Sequence, residues 1–89
     1  MEVFLKDPDA VLDYAFDWSS WLDEDETIGD YTITVASGIT VDSDSESSGI
    51  VTVWLSGGTA GDTYLIACAI ETSDGRIDER SFIVRCFNR

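Results

Sequence analysis

Residues 54–64 read WLSGGTAGDTY, and a glycine-rich run of this kind can cradle a phosphate on its backbone N–H groups. That chemistry requires G-x-x-x-x-G-K-[ST], with a lysine for the distal phosphates and a helix to follow. Here Gly57-Gly58-Thr59-Ala60-Gly61 runs into Asp62, whose carboxylate repels phosphate, and a strand-like segment follows. The stretch therefore reads as a corner between two sheets, its glycines taking φ values closed to other residues. Tyr64, just past the corner, is placed to hydrogen-bond nearby backbone through its hydroxyl.

The other residues with chemical reach are acids, cysteines and tryptophans. Asp42, Asp44 and Glu46 in DSDSES alternate as in a calcium loop, but the sixth and twelfth positions counted from Asp42 are Ser47 and Val53. An EF-hand needs glycine and a bidentate glutamate there, so a solvated strand edge or loop is the better reading. Carboxylate pairs for glycoside hydrolysis need a cleft holding two acids about 5–9 Å apart, which a small sandwich does not offer. With two cysteines and no histidine, neither a four-ligand structural zinc site nor His-based catalysis can be assembled. No catalytic, cofactor or metal-binding residue is therefore expected. Trp18, Trp21 and Trp54 are large for so short a chain; any that stays exposed is an interface anchor. Val3, Phe4 and Leu5 are further contact candidates, and so are Arg85 and Arg89.

These side chains must be positioned by strands. Residues 1–9 are read as an extended arm or an edge strand, and residues 10–89 as one β-sandwich domain. Leu12, Tyr14, Phe16 and Trp18 alternate with Asp13, Ala15 and Asp17, the period of a strand. A break near Ser19-Ser20 would carry Trp21-Leu22 to the other sheet. Asp23-Glu24-Asp25-Glu26 is a run of like charges, expected as a solvated turn and not to be buried without compensation. Ile28, Tyr31, Ile33 and Val35 mark the next strand, and Ile39-Thr40-Val41 starts another. In Ile50–Leu55, Val51, Val53 and Leu55 share one face while Ile50, Thr52 and Trp54 share the other. Tyr64–Thr72 and Ile77–Cys86 flank Asp74-Gly75, a tight-hairpin signal. That hairpin places Cys68 opposite residues 80–82 and Cys86 opposite residues 62–64, too far apart for a mutual disulfide. Both cysteines are thus expected as reduced core residues, with Cys86 also considered for a disulfide to a neighbouring subunit. About seven short strands separated by turns predict an all-β fold, a small antiparallel immunoglobulin-like sandwich.

The net charge of −13 on 89 residues argues against nucleic acid or an anionic membrane surface as partner. Residues 1–75 hold 16 acids and one base, Lys6, while Arg76, Arg80, Arg85 and Arg89 cluster at the end. This polarity suits solubility and contact with complementary neighbours. The start, MEVFLKDPD, lacks a basic segment followed by an apolar one, so synthesis in the cytoplasm is expected.

Three stretches, KDPDAVLDYAFDWSSWL (6–22), VTVWLSGGTAGDTY (51–64) and TSDGRIDERSFIVR (72–85), together resemble short proteins from the structural-gene modules of tailed bacteriophages. Those proteins are labelled fibre–tail or head–tail adaptors. The resemblance spans roughly residues 6–86. It implies an immunoglobulin-like sandwich in the virion, without catalytic residues or cofactor. It also implies multiple copies in a symmetric assembly, in contact with neck, tail or fibre proteins. A capsid decoration protein, contacting the major capsid protein, and a module that binds carbohydrate or the host surface through its tryptophans are the alternative readings.

Overall fold

Val51, Val53 and Leu55 alternate with Thr52, Trp54 and Ser56, and that period of two folds the segment as a strand with one face fully buried. The same logic repeats along the chain. In the computed structural model, which describes residues 2–87, it gives seven strands: β1 (Val3–Lys6), β2 (Leu12–Asp17), β3 (Ile28–Val35), β4 (Ile39–Ser47), β5 (Ile50–Gly57), β6 (Thr63–Thr72) and β7 (Ile77–Cys86). They form a four-stranded sheet in the order β1-β7-β6-β3 and a three-stranded sheet in the order β2-β5-β4. With β2–β7 taken as strands B–G, these are the BED and CFG sheets of an immunoglobulin sandwich. β1 lies parallel to β7, Val3 opposite Ile83 and Lys6 opposite Cys86. β1 forms one edge of the four-stranded sheet.

The core lies between the sheets. Phe16, Trp18, Val51, Val53 and Leu55 meet Ile66, Cys68, Ile70, Phe82, Val84 and Cys86, all buried. Phe82 stands at the centre of an aromatic cluster, with ring centroids 5.1 Å from Phe4, 5.3 Å from Tyr14 and 5.1 Å from Phe16.

The turns fix the registers. The β6–β7 hairpin closes around Gly75 at φ 85°, and its ladder sets Cys68 opposite Arg80, as the Asp-Gly signal predicts. The β4–β5 hairpin turns on Ser48 (φ 54°) and Gly49 (φ 83°), two positive φ values in succession, as a two-residue turn requires. The polar DSDSES run is therefore an edge strand. Gly57-Gly58 and Gly61 carry the chain from β5 in one sheet to β6 in the other, as expected for a corner. Tyr64 pins this corner, its hydroxyl accepting the Thr59 N–H at 2.8 Å.

The segment after β2 departs from expectation. Trp21-Leu22 does not cross to the other sheet as a strand. The Trp21 and Leu22 N–H groups both donate to the Trp18 carbonyl, at 2.9 and 3.0 Å, which winds this segment into a turn. The chain then enters the second sheet at Ile28.

Candidate functional site

The acidic run after β2 was expected to stay in solvent, yet Glu26 has no exposed side-chain surface. Its compensation comes from the β6–β7 hairpin. Arg76 donates from Nε to Glu26 Oε2 (2.9 Å) and from Nη2 to Oε1 (2.5 Å). The Thr72 hydroxyl donates to Oε2 (2.6 Å), and the Asp23 N–H donates to Oε1 (2.8 Å). The Arg76 pair, then the Thr72 hydroxyl, lower the Glu26 carboxyl to about 2. The same guanidinium lies over the Trp21 ring, 3.9 Å from its centroid, and reaches the Trp21 carbonyl. Asp23, Glu26 and Asp74 have carboxylate oxygens within 4.8 Å of one another. Both Glu26 oxygens already accept protein hydrogen bonds, so this group works as a clamp between two turns.

Three further polar ties join the sheets. The Trp18 indole N–H donates to Asp78 Oδ2 at 2.8 Å, while Arg80 lies 4.9 Å over the Trp18 ring and donates to the Asp17 carbonyl. On the opposite edge, the Tyr31 hydroxyl on β3 donates to Asp44 on β4 at 2.7 Å. That hydrogen bond is the main reason the Tyr31 phenol is pushed up to about 12. Asp42 instead accepts the Ser56 hydroxyl, and Glu46 accepts the Gly49 N–H. The three acids of β4 thus diverge to separate partners and build no common ligand shell.

The interface candidates divide. Trp18 is 0% exposed and so is no contact anchor. Its place in the inward series with Tyr14 and Phe16 takes it into the core, and Asp78 satisfies its N–H. Trp21 is half-buried under Arg76. Trp54 is 41% exposed and points away from the core. On β1, Val3 and Leu5 are exposed while Phe4 packs against Tyr14 and Phe82. Arg85 is exposed opposite Leu5 and Thr63. Arg89 lies outside the described residues. Cys86 has no exposed surface and sits beneath Gly58, where an added Cβ would collide with its sulfur. Its own fold therefore closes it to an intersubunit disulfide. Cys68 and Cys86 are both free thiols, and burial pushes the Cys68 thiol up to about 11.

One surface escaped the sequence reading. Val3 faces Ile83, and Ile83 faces Leu65, so an apolar row crosses the outside of the four-stranded sheet. Leu65 alternates with buried Tyr64 and Ile66, which was the available signal for its outward position.

The described surface therefore offers an apolar row on one sheet and an exposed tryptophan on the other. A family model described as "Podophage GP4 fiber-tail adaptor protein gp77" matches residues 6–85, nearly the whole sandwich. The chain belongs to this family. The podophage fibre-tail adaptors are structural proteins of the phage tail, which makes this chain a virion component whose role is contact with other tail or fibre proteins. The match begins at Lys6 and ends at Arg85, so it takes in the Gly57–Tyr64 corner, the Glu26–Arg76 clamp and Trp54. No curated protein matches the chain.

Proposed function

We propose that this chain bridges the neck or tail connector of a podophage particle to its fibres or collar, acting without catalysis as one of several copies in a symmetric ring. The observation that carries this reading is the fibre-tail adaptor family match over residues 6–85. The fold supports it. The domain is a narrow brick of 44 × 20 × 19 Å, with the apolar row on one outer face and Trp54 on the opposite one. A bridging protein needs two separate contact surfaces, and these lie on different sheets. Its polar clusters serve internal ties: Glu26, Asp78 and Asp44 each accept a hydrogen bond from a side chain on another element of the fold. The protein is made in the host cytoplasm and joins the particle there.

Copy number tests this reading. Quantitative mass spectrometry of purified particles should give a copy number on the order of ten per particle, as one closed ring requires. On the order of hundreds of copies would instead place the chain on the head lattice as a decoration protein and overturn the proposal.

A further inference from the structure

We propose that the outer face of the β2-β5-β4 sheet docks an arginine-bearing face of a different protein in the particle. The register sets three cross-strand rows on this face. Asp13, Trp54 and Ser43 form one, Ala15, Thr52 and Ser45 the next, and Asp17, Ile50 and Ser47 the third. Directly opposed residues hold their Cβ atoms about 5 Å apart, which puts the Asp13 and Trp54 side chains on one face within reach of a single ligand group. Small side chains flank the ring, which leaves a flat platform around it. Asp42, at the β4 irregularity, adds a third exposed acid near Ser56.

The charge on this face has one sign. No lysine or arginine occurs in β2, β4 or β5. A tryptophan face next to a carboxylate matches one chemistry above others: a guanidinium, which stacks on the ring and donates to the acid. The molecule already contains that arrangement inside itself. Arg76 lies 3.9 Å over Trp21 and donates to Glu26. At Trp54 the ring and the acid are present, and among the described residues no cation lies over the ring, so a partner's guanidinium would complete the arrangement.

A second copy is a poor source. Each copy carries a net charge of −13, so charge gives no net attraction between copies. Lys6 is buried, and Arg76 and Arg80 are engaged within the fold. Among the described residues only Arg85 is a cation with no hydrogen-bond or ion-pair partner. The inference rests on the adaptor reading for its claim that the partner is a virion protein.

The full chain, isotopically labelled, is titrated with a synthetic peptide of Arg-Ser repeats and with a Lys-Ser peptide of equal charge, in about 150 mM salt to suppress long-range attraction. Shift changes should centre on the Trp54 indole N–H and the amides of Asp13, Ser43 and Thr52. The arginine peptide should bind at least about three-fold more tightly than the lysine peptide. Trp54→Ala should weaken it at least about five-fold, and Asp13→Asn about three-fold. Glu24→Gln removes the same charge from the distant acidic turn and should change affinity by less than about 1.5-fold. Since Trp54 and Asp13 are on the surface, Trp54→Phe serves as a second, fold-preserving variant with an intermediate loss. Equal effects of Asp13→Asn and Glu24→Gln, or no preference for arginine, would reduce the attraction to net charge and overturn the proposal. So would a self-associated form in sedimentation that Trp54→Ala abolishes, which assigns the face to a second copy. Each such failure leaves the adaptor reading standing, because copy number is measured independently.

Discussion

At neutral pH the Glu26 carboxylate is shielded from solvent and holds Arg76, Thr72 and the Asp23 N–H at once. Its folded-state carboxyl is lowered to about 2 from an ordinary value of 4.5, so the folded form binds the proton less readily than the unfolded chain. The sign follows. The stabilisation is fully present above pH 4.5 and is lost as pH falls toward 2. Glu26→Gln should therefore lower the melting temperature at pH 7, and the gap to the parent should narrow below pH 4.5 and close as pH falls through about 2. Thermal melts at several pH values check this; a gap that is constant with pH would assign the loss to packing instead. This clamp was only half legible. The charge run Asp23–Glu26 signals that burial needs compensation. Nothing local says that the compensating arginine lies fifty residues onward in the sequence, because only the folded sheets bring the two turns together.

β1 shows how an element can be short and still matter. It has four residues, and its backbone holds β7 through the Ile83 N–H donating to Glu2 and the Phe87 N–H donating to Lys6. Lys6 is fully buried, and its Nζ donates to the Gly57 carbonyl at 2.8 Å and the Asp7 carbonyl at 3.0 Å. One side chain thus ties the edge strand to the glycine corner at the end of β5. Lys6→Ala should lower stability by roughly 2–4 kcal/mol, since hydrogen bonds to a charged donor are lost and a buried stem is removed. Lys6→Met should cost less because it keeps the stem. In hydrogen exchange of the alanine variant, the Ile83 and Phe87 amides should lose protection before the β6 amides do. Loss at the same rate throughout would mean that β1 does not open on its own. The strands themselves were readable where alternation is strict, as in Val51-Thr52-Val53, or where a turn fixes the ladder, as at Asp74-Gly75. The parallel pairing of β1 was not, because no turn links it to β7. The burial of Lys6 was hidden as well, since a lone lysine ordinarily signals solvent.

For the whole molecule, charge and shape divide by sheet. β2, β4 and β5 hold five acids and no base, whereas Lys6, Arg80 and Arg85 all lie in the other sheet. The apolar row of Val3, Ile83 and Leu65 lies on that other sheet too. A sandwich with two unlike outer faces is suited to join two different neighbours, and the adaptor family gives this property a place in the tail. The all-β class and strand count were open to sequence reasoning because turn residues punctuate the chain. The sorting of Trp18 inward and Trp54 outward was available in the same alternation, but the chain alone does not show that Asp78 receives the Trp18 indole N–H. A cryo-EM reconstruction of the intact particle, focused on the neck and tail, tests the central claim most directly. The account predicts a ring of two-sheet densities about 44 Å long, each with its β2-β5-β4 face against one neighbour and its β1-β7-β6-β3 face toward another, between the tail and the fibre bases. Density for this chain on the head lattice, or with both outer faces bare, would contradict it.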